Sequence, residues 1–215
     1  MTSNLPSISS NNLRRYGKPM MFVLMLLPAA WLVWNWWLAF GNQPNGLGFN
    51  PQEESNRFTG DWTLRFLLLS LSITPLSKLI GSPKPLLFRR MIGLFAFFYV
   101  TLHITSYVWL DMLFDWVELW ADVLKRIYIT VGFTAFLMLI PLAVTSTSGW
   151  VKRLGAKRWQ RLHKLVYAIG LLGVIHFIMM RKGFQLEPLI YALILASLLA
   201  FRVHMHWKKR QRLAA

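Results

Sequence analysis

Apolar residues along this chain come in long unbroken runs separated by short polar or charged stretches, not in the spaced stripes of a surface helix. Six runs are readable: Met20 to Phe40, Trp62 to Ile80, Met91 to Leu110, Ile127 to Thr145, Leu165 to Met180 and Pro188 to Val203. A hydrocarbon layer ~30 Å thick takes about 20 residues of α-helix. The pattern therefore predicts an all-α integral membrane protein, a bundle of six transmembrane helices. The fifth run is the shortest. Arg161 and Lys164 before it and Arg181 and Lys182 after it mark its ends, because charges are costly at mid-membrane. The first run continues through Trp31 to Phe40 with no polar cleavage region, longer than the roughly 7 to 15 apolar residues of a signal peptide, and predicts a retained anchor. Residues 1–19 then form an N-terminal tail, 20–203 the membrane domain and 204–215 a basic C-terminal tail.

One segment between runs is patterned differently. In DMLFDWVELWADVLK, Asp111, Asp115, Glu118 and Asp122 recur at helical spacing, with Leu113, Val117, Trp120 and Leu124 on the opposing face. It predicts one amphipathic helix on the outer surface. Its acids either face water or form a docking strip for a basic partner. Residues 41 to 60 read as a Gly/Pro/Asn-rich outer loop.

Charge orients the bundle. The formal net charge is +16, with 24 Lys and Arg against eight acids, and the distribution matters more than the total. Bases cluster before run one (Arg14, Arg15, Lys18), between two and three (Lys84, Arg89, Arg90), between four and five (Lys152 to Lys164) and after six (Lys208 to Arg212). All eight acids fall in the alternate loops. By the positive-inside rule both termini are cytoplasmic. Topology and anionic lipid account for most of these bases, and nothing independent points to nucleic acid. The chain has no cysteine, which excludes disulfides, iron–sulfur ligation and thiol chemistry.

Of five histidines, His204 and His206 lie at the inner end of the last run beside Trp207, where they read as interfacial. His103 and His176 sit inside apolar runs, where a polar side chain needs a partner. His103 is about 18 Å beyond Met91, and His176 about 17 Å beyond Leu165, along helices that both run outward. Two imidazoles at one depth in the outer half suit axial ligation of a haem iron. The alternative is a hydrogen bond from each to a neighbouring helix. His163 lies ~20 Å along the helix from His176, too far for a shared zinc site. It is at the depth of Arg89 and Arg90, and remains open as a second haem ligand, a flavin or quinone contact, or a headgroup neighbour. Thirteen residues leave His163 and His176 roughly 140° apart on a regular helix, so one seam takes both only if the helix deforms, for which Gly170 and Gly173 are placed. Arg89 is only about 40° from His103 and faces the inner position; its guanidinium is no iron ligand but pairs well with propionate or phosphate.

RRMIGLFAFFYVTLH (89 to 103), TPLSKLIG (74 to 81) and RLGAKRWQRLHKLVYAIGLLGVIHF (153 to 177) resemble the ferric reductase-like transmembrane family. The resemblance runs from the first span to the last. It implies a haem b subunit (one or two haems) of the bacterial inner membrane, with FMN as an associated cofactor. It also implies the periplasmic molybdenum enzyme MsrP as electron acceptor, reducing methionine sulfoxide in proteins, and the quinone pool as source. His103, His163 and His176 correspond to the family's haem-associated histidines, with His103 and His176 as the expected axial pair. Larger relatives carry four such histidines and a fused flavin domain. Here Arg89 or Arg90 stands where the fourth would fall, and no nicotinamide-binding domain follows Val203.

Without a nucleotide fingerprint the chain is expected to transfer electrons, with catalysis in its partner. The donor, a membrane quinol or flavin, is expected near Arg89, Arg90, His163 and Lys164. The competing readings are a metal-ion reductase or transporter, which intramembrane acids would favour and none lies deep in a run, and a haem-free structural protein.

Overall fold

The computed structural model describes residues 9–181 and 185–214. Lys182 and the first eight residues of the expected N-terminal tail, with Ala215 at the other end, lie outside them. The described residues form helices and connecting turns, with no strand among them. A short helix α1 (Ser10–Asn12) and a π-helical turn (Leu13–Gly17) lead into α2 (Lys18–Phe40). There follow α3 (Pro51–Leu79), α4 (Leu86–Ser106), α5 (Trp116–Lys125), α6 (Ile127–Val144), α7 (Ser148–Leu154), α8 (Ala156–Leu162), α9 (Leu165–Met180) and α10 (Leu186–Ala214).

Five helical stretches are long and apolar enough to cross a bilayer: Ser10–Phe40, Leu86–Asp111, Ile127–Val144, Ala156–Met180 and Leu186–Arg212. The remaining expected span, Trp62 to Ile80, lies in α3, which is continuous but does not match the other five in apolar character. Asp61, Arg65 and a series of Ser and Thr dilute it. Packing explains the difference. α3 lies along α4 and also meets α2, α9 and α10, and it buries more residues than any other helix, Leu64, Phe66, Leu67, Leu68, Leu71 and Ile73 among them. A helix enclosed by other helices is not selected for contact with lipid.

α3 pairs with α4 and α6 pairs with α9; the two pairs close on each other where α4 meets α6 and α3 meets α9. α4 and α9 thus stand at opposite corners of a four-helix ring. α2 packs outside α3 and α4, and α10 outside α9 and α3. The attachment of α2 centres on Tyr99, which is fully buried. Pro28 interrupts α2, since a proline lacks the N–H and crowds the carbonyl four residues back. Next to it the Tyr99 hydroxyl donates to the Met25 carbonyl (2.8 Å) and accepts from the Ala29 amide (3.0 Å). One hydroxyl from α4 thereby joins two groups that a regular helix pairs directly.

The outer helix is shorter than its pattern predicts. A π turn ends α4 at Tyr107–Asp111, and Leu113 and Phe114 then take left-handed φ of 47° and 63°, so α5 begins only at Trp116. Its acids do not form one strip. Asp115 caps the helix, accepting from the Val117 and Glu118 amides at 2.9 and 3.0 Å. Asp122 is buried, accepts from the Tyr107 hydroxyl at 2.9 Å and pairs with Arg126 at 3.1 Å. The expected opposing face of Leu113, Val117, Trp120 and Leu124 is exposed.

Tyr99→Phe is expected to destabilise the detergent-solubilised protein by about 1–2 kcal/mol, as loss of a buried hydrogen-bonded hydroxyl does. In a Pro28→Ala background, where the α2 ladder closes on itself, the same substitution should cost less. Thermal unfolding of the four variants checks this; equal costs in both backgrounds would refute the insertion account.

Candidate functional site

The ring of α3, α4, α6 and α9 carries His103 and His176 on its two opposite corners. Their ring centroids are 6.3 Å apart, with the planes at 76°. The predicted match in depth is therefore realised as a direct juxtaposition. His103 Nδ1 donates to the Asn56 carbonyl of α3 at 2.9 Å, and His176 Nδ1 donates to the Tyr128 carbonyl of α6 at 2.7 Å. A carbonyl only accepts, so each Nδ1 carries the proton and each Nε2 keeps its lone pair.

The same local device serves both histidines. Residue 60, four after Asn56, and residue 132, four after Tyr128, are glycines. A helical side chain covers the turn on its N-terminal side, so the residue at i+4 normally screens the carbonyl of residue i. Without a Cβ, that carbonyl's second lone pair is open to a side chain from the next helix. A Cβ on Gly60 would come within 3.1 Å of His103 Cε1, and one on Gly132 within 2.8 Å of His176 Nδ1. The imidazoles lie in these two notches.

The spacing has a chemical meaning. A ligating imidazole nitrogen sits ~2 Å from its metal, and the ring centre about 1 Å further back, so two axial imidazoles on one atom put their centroids ~6 Å apart. The observed separation fits one metal atom between them. The nitrogens' protonation fits it too.

His163 is placed apart from this pair and held differently. The helix that carries both α8 and α9 is interrupted at His163–Lys164, not at Gly170 or Gly173. Gly170 packs against Leu195 and Leu71. His163 stacks on Trp159 with centroids 4.0 Å apart, and its Nε2 lies 3.0 Å from Thr145 Oγ1. Thr145 gives its own proton to the Pro141 carbonyl at 2.6 Å, so His163 Nε2 is the donor. Trp159 Nε1 donates to the Thr145 carbonyl at 2.9 Å. The three side chains tie the inner end of α6 to the α8–α9 break. Arg89 is the charged neighbour of His163, while Arg90 and Lys164 are exposed.

Sequence reasoning passed over Asn56, Gly60, Tyr128 and Gly132, and two arginines inside apolar segments. Arg65 of α3 donates through Nε to the Tyr191 hydroxyl (2.8 Å) and lies 3.9 Å from Asp61 and 3.7 Å from Glu187. Glu187 also meets Arg181 at 3.5 Å, which closes the outer end of α3, α9 and α10 with alternating charges. Arg202 is on the inner half of α10. A charge within an apolar run is itself the signal that was available for both.

Fold and site together define a class: helical membrane proteins that enclose two opposed, neutral imidazoles. The profile of the family described as "Ferric reductase like transmembrane component" matches residues 59–174, and the chain belongs to that family, in its MsrQ branch. It is 50% identical over 199 residues to the "Protein-methionine-sulfoxide reductase heme-binding subunit MsrQ" of Polaromonas naphthalenivorans, covering 91% of this chain and 88% of that one. The protein of the same name from Rhodospirillum rubrum is 53% identical over 191 residues, 88% of each chain. That of Xanthomonas campestris pv. campestris is 47% identical over 193 residues, 90% of this chain and 87% of its own.

Thr145→Val leaves the His163 Nε2–H without its acceptor and is expected to lower unfolding stability by about 1–2 kcal/mol. Thr145→Ser should stay close to the parent. Thermal unfolding in detergent separates the two; a Val variant as stable as the Ser variant would remove the hydrogen bond from the account.

Proposed function

We propose that the chain is the haem b electron-transfer subunit of a methionine sulfoxide reductase system, taking electrons at the cytoplasmic side of the bacterial inner membrane and delivering them outward. The observation that carries this reading is the pair of imidazoles on α4 and α9, each fixed through Nδ1, with centroids 6.3 Å apart. His103 and His176 are the axial ligands. The acceptor is the periplasmic molybdenum enzyme MsrP, where the sulfoxide is reduced, and the donor is the quinone pool. The relatives' name as heme-binding reductase subunits agrees with a transfer subunit whose catalysis lies elsewhere.

In this reading α3 also crosses the membrane, which makes six spans, and both termini are cytoplasmic. The support is the charge asymmetry: the basic clusters lie at one set of helix ends and all eight acids toward the other. The tails 1–19 and 204–215 flank a membrane domain of 20–203.

The chain's own groups prepare the site. The Asn56 and Tyr128 carbonyls hold each ring in one tautomer and orientation, and accepting carbonyls raise the basicity of the opposite nitrogen. Apolar faces of the four helices exclude water. Haem, when bound, supplies one-electron redox chemistry, with its potential set by axial ligands and burial. His103 and His176 would hold the haem between them, and a haem held by two protein imidazoles would supply one-electron transfer in preference to oxygen chemistry.

At the inner face Arg89, Arg90, His163 and Lys164 form the contact region for the donor, quinol or flavin, and for FMN as the family resemblance implies. The hydrogen bond of His163 Nε2 to Thr145 leaves only Nδ1 with a lone pair, and with the stacking on Trp159 it supports a cofactor-contact role.

A reduced-minus-oxidised spectrum with haem quantified per chain tests the assignment. His103→Ala and His176→Ala should each lose the low-spin haem, and His163→Ala should retain it. Normal haem in either of the first two variants sinks the axial pair, and a drop from two haems to one in His163→Ala would make His163 a second ligand. Among the notch variants, Gly132→Ala should lose more haem than Gly60→Ala, since its clash with the ring is closer.

A further inference from the structure

The inner half of α10 holds a charge that electron transfer through the histidine pair leaves unused. Arg202 lies sixteen residues into the helix, ~24 Å along it. Its guanidinium donates to the Tyr167 hydroxyl at 3.0 Å and to the Leu71 carbonyl, and sits 5.1 Å over the Tyr167 ring. These contacts anchor Arg202 between α3 and α9 but use only two of its five N–H donors. Its Nε is buried with no hydrogen-bond partner, and so is Thr74 Oγ1 of α3. Both residues line one cavity of about 230 Å³ between α3, α9 and α10, with Lys78 and His206 also on its wall.

Among the described residues no Asp or Glu answers this cluster. The nearest acid along α3, Asp61, is thirteen residues before Thr74, ~20 Å away along the helix, and none of the eight acids lies in the inner segments. Arg89 adds a like charge next to Arg202. A half-buried guanidinium whose Nε is idle and buried, and a buried hydroxyl with no partner, are costly when only protein atoms are counted, and an exposed lysine stands at the rim. An anion answers all three.

The donors come from two helices, with Tyr167 of a third alongside. Guanidinium, ammonium and hydroxyl donors on separate elements suit the several oxygens and the charge of a phosphate. Pro75 and Phe201 give the cavity apolar walls for whatever the phosphate carries. We infer that the cavity between α3, α9 and α10 is a phosphate-binding site, with Arg202, Thr74 and Lys78 as donors, filled from the membrane by a phospholipid headgroup or from the cytoplasm by a phosphate monoester. The site does not depend on the haem assignment, because neither His103 nor His176 lines it.

The full-length protein, purified in detergent and stripped of lipid, is titrated in two arms. One adds phosphatidylglycerol, with phosphatidylcholine as the zwitterionic comparison, and counts bound lipid by native mass spectrometry. The other adds flavin mononucleotide and, separately, inorganic phosphate, followed by thermal shift. One arm should saturate at one ligand per chain. Arg202→Gln should weaken that binding at least about tenfold, and the near-isosteric Thr74→Val and the rim variant Lys78→Gln about threefold each. Saturation by phosphatidylglycerol alone identifies the lipid source; saturation by the monoester identifies the soluble one. If Arg202→Gln does not fold, the Thr74 and Lys78 variants decide. No saturable binding in either arm, or binding unchanged in both of those variants, overturns the inference. An unchanged haem spectrum in these variants keeps the result distinct from failure of the histidine pair.

Discussion

Everything at the centre of this protein depends on a helix carbonyl accepting a second hydrogen bond. The Asn56 and Tyr128 carbonyls lie within helices, yet each also accepts from an imidazole on the neighbouring helix. Between packed helices an Nδ1–H without such a partner is costly. The bond requires an uncovered carbonyl, hence glycine four residues on. It also requires two helices close enough for a ring to reach across, hence the tight α3–α4 and α6–α9 pairs. Because the two notches lie on separate pairs, closing the pairs into a ring brings the two imidazoles together, with centroids 6.3 Å apart.

That constraint accounts for the unusual character of α3. A helix that carries one notch, receives the neighbouring faces of α2, α4, α9 and α10 and meets Glu187 and Tyr191 through Arg65 has protein on most sides. Several of its Ser and Thr residues return their hydroxyls to its own backbone, as Thr59 does to Ser55 and Thr63 to Thr59. Polar content that would be costly against lipid is tolerated there. The helices with lipid-facing surface are the ones whose apolar runs stand out.

Legibility in the sequence follows the same division. Lipid imposes its demand on each helix separately, so length and hydropathy reveal α2, α4, α6, α9 and α10 and reveal α3 only by its length. Equal depth of His103 and His176 is a property of rise per residue and was readable. The notches were not: Asn56 and Gly60 fall in the stretch 41 to 60 that reads as a loop, whereas α3 already begins at Pro51, and Gly132 in an apolar helix has many causes until the facing ring distinguishes it from Gly93 or Gly173. The break near His163 escaped for a similar reason. Gly170 looked like a point of deformation but serves close packing against Leu195, whereas the chain turns where Trp159, His163 and Thr145 lock together. The acidic pattern of residues 111–125 misled because helical spacing is silent about left-handed residues such as Leu113 and Phe114, which reset the register before Asp115.

The charge distribution bears on the proposed direction of transfer. Arg89, Arg202 and the basic inner segments place uncompensated positive charge at one end, while Asp61, Glu187 and the acids of residues 111–122 lie at the other. Charges in a low-dielectric interior act over longer distances than in water. An electron held near the inner face is stabilised by this field, and one moved outward loses part of that stabilisation. The proposed transfer from inside to outside would run against this electrostatic gradient, and the redox potentials of donor and acceptor would have to offset it. The gradient favours retaining the electron at the inner face until an acceptor of sufficient potential is available. Partial neutralisation of Arg202 by a bound phosphate would lower that retention, so occupancy of the inner cavity and the ease of outward transfer are coupled through charge alone.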